Sequence, residues 1–400
     1  MRLLKIHLCF LAAFIYLTYG SSVYGAEKIT KNPVIIGFDG EIGHRTSTSD
    51  DAVIAGIKIA IRKINDAGGV LGGRPLELLV KDNRSVPARG VANMEAFARV
   101  PDLVAVVGGK FSPVMLEQIP IIHEKKIILL DAWGAADTII DNGRNPNFCF
   151  RLSLKDSWAI QTMMEYAMNK GVRHIGVLLP VTGWGRSNEK AIRNYLESHA
   201  EISLTSIEWY NLGDISLIEK YEQLRKTGAE AIFLIANEKE GSILVKEVAR
   251  LPLAQRLPFI SHWGVSGGAF VDLTGGAIKE LDFSLVQTYS FFDNRRKKKL
   301  AEFYAIAKEL FGIEGPGDIP SPVGTAHAYD LTHILALAIN LAGSTERAKI
   351  RDSLEQVRDY DGLIKFYPQP FTETRHEALL PEDLFMGYFR EDGAILRLVQ

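Results

Sequence analysis

The twenty residues from Ile64 to Asn83, INDAGGVLGGRPLELLVKDN, place four glycines within six positions, Gly68 to Gly73. So glycine-rich a stretch invites reading as a phosphate-cradling loop. A dinucleotide loop, however, follows a strand and opens a helix. Here the order is reversed. Val53, Ile54, Ile57, Ala60, Ile61 and Ile64 recur at the 3.6 period of a helix that runs into the glycines, and Leu76 to Val80 beyond them is an apolar, strand-like run. Gly68 and Gly69 suit a left-handed helix terminus and Gly72-Gly73 a turn. The stretch reads as helix, turn, strand.

The same alternation extends in both directions. Upstream, residues 34–38 read as a strand and 51–65 as the helix. Downstream come strand 76–80, helix 91–98, strand 104–107, helix 114–123 and strand 127–130. After Arg151 the rhythm restarts with helix 158–169, strand 175–179, helix 189–199, a strand near Ile207, helix 218–227, strand 231–235, helix 242–250 and strand 258–260. Strands separated by helices imply an α/β chain with parallel sheets covered on both faces. Two successive units of similar size argue for two doubly wound lobes. Ligands of such sheets bind beyond the carboxyl ends of the strands, so two facing lobes would surround one cleft with those loops.

The totals narrow the function classes. A chain of 400 residues exceeds one small core. With 46 basic and 48 acidic residues the net charge is -2, and no global field favours nucleic acid or an anionic membrane. The basic run Arg295 to Lys299 opens a helix ending near Phe311 and reads as a solvated face. Met1 to Lys5 is a short basic start, Leu8 to Leu17 an apolar stretch, and Gly20 to Ala26 a run rich in small residues, the pattern of a cleaved secretory signal over residues 1–26. Past it, Cys149 is the sole cysteine, so no disulfide forms within the mature chain. HExxH, the phosphate-loop motif, clustered cysteines and calcium-spaced carboxylates are all absent, so no cofactor or metal is expected.

Beyond this periodicity, INDAGGVLGGRPLELLVKDN (64–83), VVGGKFSP (106–113), NFCFRLSLKDSW (147–158), GVLLPVTGWGRS (176–187) and TAHAYDLTHILALAI (325–339) resemble, in order, the leucine/isoleucine/valine-binding protein family. Those are the type I periplasmic solute-binding proteins of ABC importers. The resemblance implies two lobes joined by a three-strand hinge, with crossovers near Arg151, near Gln287 and near residues 341–344. Lobe 1 would combine residues 27–150 with 288–342, and lobe 2 residues 151–287 with 343–400. It also implies a periplasmic monomer that delivers a small-molecule ligand to an inner-membrane ABC permease and carries out no catalysis.

The strand-end loops supply the candidate site. DGEIGHRTSTSD (39–50) offers His44, Arg45 and the hydroxyls of Thr46 to Ser49 at a helix N-terminus, where free amides favour an anion. Ser49 or Asp50 could instead simply cap that helix. In the family, a serine after the third strand and residues after the fourth hold the ligand carboxylate. The matching positions here are Ser112 and Trp133-Gly134-Ala135, although Ser112 precedes Pro113 and could serve as a helix cap. Trp133 offers a flat apolar face, or else packs into the core. In the second lobe, Trp184 matches a cleft-lining aromatic and Asn237 a ligand-contacting tyrosine. Trp263 falls near the acid that pairs with the ammonium of an amino acid, and that acid is missing. Asp131, Glu238 or Glu240 could take its place. Arg45, Arg186 and three tryptophans suggest a carboxylate with a flat or apolar body: a branched or aromatic amino acid, or an aromatic acid lacking the amine, with cation–π capture of an amine also open.

Two rival readings remain. Gly264-Val265-Ser266-Gly267-Gly268 matches the G-x-S-x-G nucleophile elbow, yet His327, His333 and His376 stand in no recognisable hydrolase pattern. The resemblance makes this a cleft-edge loop whose glycines permit close approach to a ligand. The same fold also serves as a ligand sensor, with no importer attached.

Overall fold

The structure is a computed structural model that describes residues 31–44, 47–319 and 321–398. The expected signal segment and Arg45 lie outside the described residues. Strand β1 (Val34–Gly40) leads into helix α1 (Ser49–Asp66), which buries Val53, Ile57, Ala60 and Ile64 as their spacing predicts. The chain then turns through Gly68 and Gly69 at φ 106° and 72° and through Gly72 and Gly73 at φ 67° and 117°. A Cβ at Gly69 would also strike the Arg74 carbonyl. The glycines thus serve backbone geometry, and β2 (Leu76–Asp82) follows.

Helix α2 (Pro87–Ala98), β3 (Leu103–Gly108), α3 (Ser112–Glu124), β4 (Ile128–Asp131) and β5 (Cys149–Arg151) complete the first unit. Its sheet has the order β2-β1-β3-β4-β5, and every pairing is parallel. All six residues of β3 are buried, which accounts for an apolar run without alternation.

The second unit runs α4 (Asp156–Asn169), β6 (His174–Pro180), α5 (Gly183–Leu196), β7 (Ser203–Tyr210), α6 (Ile218–Lys226), β8 (Ala231–Leu234), α7 (Glu238–Val248), β9 (Phe259–Ser261), α8 (Phe270–Thr274) and β10 (Phe283–Gln287). Two helices begin earlier than their apolar pattern. Helix α5 starts at Gly183 because the Thr182 hydroxyl accepts the Gly185 amide, which sets Trp184 on the first turn. Helix α7 starts at Glu238, where two glutamates complement the N-terminal dipole.

Next come α9 (Lys297–Phe311), α10 (Pro322–Ala342), α11 (Arg347–Leu354), the short strands β11 (Tyr360–Asp361) and β12 (Phe366–Tyr367), and finally β13 (Phe385–Phe389) and β14 (Ile395–Arg397). Although α9 and α10 follow the second unit in sequence, both pack on α1 of the first. Arg62–Glu309 (2.7 Å) and Lys63–Glu302 (2.7 Å) are ion pairs along that seam. The last two strands return to the second sheet, whose order is β14-β13-β10-β9-β8-β6-β7. β13 is antiparallel to β10 and β14 is antiparallel to β13, a departure from the purely parallel expectation. A tight turn closed by Arg390 N–H to the Ala394 carbonyl (2.8 Å) joins them, so no crossover helix is needed. The result is two doubly wound lobes, each built on its own sheet.

The α1–α10 crossing fixes how the first lobe is assembled. Gly56 lies where the helices touch, and a Cβ there would run into the Thr325 carbonyl oxygen. Alanine favours a helix over glycine by about 1 kcal/mol, but overpacking a tight contact costs about 1–3 kcal/mol. Because backbone cannot swing aside as a side chain can, we expect the clash to win. Gly56→Ala should lower the melting temperature by roughly 2–6 °C in a thermal melt; an unchanged or raised value would mean that the crossing is loose.

Candidate functional site

The carboxyl ends of the two sheets face each other. The first lobe brings Lys110, Phe111, Ser112 and Pro113 from beyond β3, and Trp133 and Ala135 from beyond β4. The second brings Trp184 on α5, Asn237 beyond β8, and Trp263 and Gly264 beyond β9. Between them lies a narrow cavity with room for about one water molecule.

An ion pair shapes the first-lobe wall. Asp131 ends β4 and lies 3.2 Å from the Arg151 guanidinium, both fully buried. The guanidinium also donates to the Ala136 carbonyl (2.7 Å), while an Asp131 oxygen accepts the Trp133 amide (3.0 Å). The segment 133–136 is therefore gripped at both ends. Ser112 Oγ accepts the amides of Ala135 (3.1 Å) and Ala136 (3.3 Å), tying the β3 and β4 loops together. It makes no helix-capping bond; Phe111 holds the cap position of α3. Its proton remains free to be donated. The Trp133 ring lies over Gly324 of α10, where a Cβ would come within 2.6 Å of it. Trp133 is thus both cavity wall and core.

The second-lobe wall is aromatic. Trp184 Nε1 donates to Asp156 Oδ1 (3.0 Å), and His262 Nε2 stands 3.1 Å from the same oxygen. His262 also meets the Trp184 ring edge-on at 5.2 Å. A Cβ at Gly264 would strike the Ala236 carbonyl and come within 2.7 Å of Trp184, so only glycine fits there.

Several contacts close the cleft. Trp133 and Trp263 meet at 5.5 Å between ring centres, a contact worth about 0.5–1.5 kcal/mol beyond the area it buries. Lys110 Nζ reaches Glu238 Oε1 at 2.9 Å. The Thr48 amide donates to the Gly267 carbonyl (2.8 Å), and Ser47 Oγ donates to the same oxygen (3.1 Å). Lys110 Nζ also bonds Ser47 Oγ. Burial works against the Lys110 charge, but Glu238 and Asp50 outweigh it and lift its pKa above the ordinary lysine value. Burial pushes Asp50 up to about 6, against the pull of Lys110. Asp131 is likewise raised to about 6 by burial, opposed by Arg151.

Of the residues singled out in the sequence, Ser112, Trp133, Ala135, Trp184, Asn237 and Trp263 line this one cavity. Gly134 does not; its backbone turns against Met115 and Ile139 in the interior. Ser49 is buried at the start of α1 with its hydroxyl on Ser47 (2.9 Å), outside the lining. Neither Ser49 nor Asp50 caps α1: Thr48 holds that position without a side-chain capping bond, and Asp50 accepts the amides of Glu41 and Lys110, both at 2.6 Å. Arg186 faces a separate groove beside Leu116 and Asp137. Asp131 is committed to Arg151, and Glu240 accepts the Gly213 amide (3.2 Å). Ser266 is buried in a 3₁₀ turn and donates to the Trp263 carbonyl (2.6 Å), with no strand-to-helix elbow beneath it. Lys110 escaped the sequence reading, although its place directly after β3 marks it as a strand-end residue. Among the described residues no group of three or more metal-ligating side chains converges, and no helix is long and apolar enough to cross a membrane.

The sequence model of a family described as periplasmic binding protein matches residues 35–393. The leucine-, isoleucine-, valine-, threonine- and alanine-binding protein of Pseudomonas aeruginosa is 22% identical over 332 residues, covering 83% of this chain and 84% of that protein. A periplasmic binding protein type 1 from Bordetella pertussis superposes with a TM-score of 0.81 at 20% identity, over 92% of this chain and 100% of that one. A solute-binding protein of an ABC transporter from R. palustris, solved in complex with 4-hydroxybenzoate, gives 0.75 at 16% identity, over 92% and 96%.

His327 on α10 lies at the back of the site, 5.7 Å from the Trp263 ring. Its Nδ1 bonds the Ala132 carbonyl (2.9 Å) and its Nε2 the Thr288 hydroxyl (2.9 Å), an arrangement that suits a neutral ring donating from Nδ1. Burial lowers its pKa from 6.5 to about 4. Between those values only the unfolded chain takes up the proton, so this group removes stability as pH falls from 6.5 to 4. The stability advantage of the native protein over His327→Gln should therefore shrink by up to about 3 kcal/mol across that interval. Denaturant titrations at pH 7, 5.5 and 4 would measure it. A constant difference would show that His327 is not held neutral.

Proposed function

Since the chain belongs to the type I periplasmic binding proteins of the leucine/isoleucine/valine-binding family, we propose that it is the extracytoplasmic solute receptor of an ABC importer. Its guest is a small carboxylate-bearing solute, a branched-chain or aromatic amino acid, held between the lobes and handed to an inner-membrane permease. One observation carries this reading: residues from five strand ends in two separate sheets converge on a single cavity lined by three tryptophans. The rings bury an apolar body, Ser112 donates its remaining proton to a carboxylate, and no bond of the guest changes.

In this reading residues 1–26 are the signal that exports a monomeric protein. The hinge strands pass near Arg151, Gln287 and residues 341–344, separating 27–150 plus 288–342 from 151–287 plus 343–400. Closure follows only from the difference in guest affinity between open and closed states. The aromatic lining also favours a second guest class, aromatic acids without an amine, and the likeness to the 4-hydroxybenzoate complex supports keeping it.

Titration of the mature protein with branched and aromatic amino acids and with benzoates, followed by tryptophan fluorescence and thermal shift, tests the reading. At 100 times Kd a true guest should add about 2.7 kcal/mol of stability. Trp133→Ala, confirmed folded by circular dichroism, should weaken that guest at least about tenfold, the scale of one lost buried ring. Silence in both signals across the whole panel would remove the case for a solute receptor.

A further inference from the structure

We propose that the groove between the start of α9 and the β13–β14 pair is a second binding site, built for a phosphate-type oxyanion. It shares no lining residue with the tryptophan cavity, and the inference stands apart from the receptor reading.

The groove opens where the chain leaves β10. Its walls come from residues 288–296, the β11–β12 hairpin, residues 382–385 and β14, and they surround about 380 Å³. One water takes about 30 Å³, so the space admits a phosphoryl group with a small body attached to it. Four cations line it: Arg295, Arg296, Lys365 and Arg397. The basic run that begins at Arg295 is thus more than a solvated face. Lys297 and Lys298 are exposed, but Arg296 is half-buried and pairs with Asp361 of the hairpin.

The carboxylates of the groove answer only part of this charge. Asp383 pairs with Lys365 (2.5 Å). Asp293 takes Nε and Nη2 of Arg295 and leaves its Nη1 uncommitted. Among the described residues no carboxylate lies within ion-pair distance of Arg397, whose guanidinium rests 3.6 Å from the centre of the Phe385 ring. Tyr289 lines the groove at only 7% exposure, and its hydroxyl makes no hydrogen bond among the described residues. Arg295 is the common neighbour. Partial burial and then the like charge of Arg295 hold Arg397 below the usual arginine range, and Arg295 in turn feels the Tyr289 hydroxyl.

An oxyanion uses all three sets of donors. It takes the planar fork of Arg397, the free Nη1 of Arg295 and the O–H of Tyr289, and its charge offsets the repulsion between the two guanidiniums. Donors from three separate positions suit a tetrahedral group with three free oxygens better than a planar carboxylate with two. Glu382, exposed and unpaired among the described residues, opposes the anion, but four cations against three lining carboxylates still leave the groove net positive. Arg295 leads into α9, which packs on α1 of the first lobe, whereas Phe385 and Arg397 belong to the second sheet. The bound anion therefore also ties one lobe to the other.

Calorimetry and thermal melts of the mature protein, with inorganic phosphate set against sodium chloride of matched ionic strength, test the site. Phosphate should bind saturably and raise the melting temperature, and chloride should do neither. Arg397→Ala, at an exposed position, should weaken phosphate at least about tenfold, the scale of one hydrogen bond to a charged group. Glu382→Gln should tighten it, a gain that misfolding could not produce. Flotation with phosphatidylcholine vesicles, with and without phosphatidic acid, separates the sources of the anion. Recruitment by phosphatidic acid that Arg397→Ala abolishes would assign a lipid headgroup, and binding of free phosphate alone a soluble ligand. A response that chloride reproduces, or phosphate affinity unchanged in Arg397→Ala, would overturn the site and leave the receptor reading untouched.

Discussion

The buried ion pair between Asp131 and Arg151 is the constraint on which the site depends. Two charges at 0% exposure are costly unless each is paired, and here they pair with each other while their other atoms bond the surrounding backbone. Arg151 donates to the carbonyls of Ala135 and Ala136, and Asp131 takes the amide of Trp133. A four-residue loop is thereby fixed in one conformation at the mouth of the sheet. The Arg151 backbone in turn pairs with the segment 376–378, through the His376 carbonyl and the Ala378 amide, both at 2.8 Å. The same residue therefore anchors the cleft wall and a late strand-like segment of the chain.

Rigidity on one side of the cleft gives meaning to the softer contacts across it. The tilted ring contact of Trp133 with Trp263, the Thr48–Gly267 bond and the Lys110–Glu238 pair are each worth little or moderate energy, and all link one lobe to the other. One buried apolar cluster runs through residues of both lobes and a second lies wholly in the second lobe, so these cross-cleft contacts supplement a shared apolar interior.

Much of the architecture was legible in the sequence because it is locally encoded. The 3.6 period of α1, the all-apolar β3 and the positive-φ glycines after α1 each follow from properties of neighbouring residues. The antiparallel β13–β14 pair was not legible, because its few residues carry no period and gain their place only by pairing with β10. The early start of α5 was missed for a related reason. Gly183-Trp184-Gly185 is poor helix sequence, and only the Thr182 hydroxyl makes it the first turn.

For the site, the sequence determined which loops lie at strand ends and that Ser112, Trp133, Trp184, Asn237 and Trp263 stand on them, because strand order and helix spacing dictate those positions. Only the tertiary structure decided which of these side chains share a cavity. Gly134 and Arg186 turn away for reasons of packing that no linear pattern carries, and Lys110 and Glu238, 128 residues apart, become partners only when two sheets face each other. Local periodicity is a property of adjacent residues, whereas the pairing of charges in a cleft is a property of distance in space.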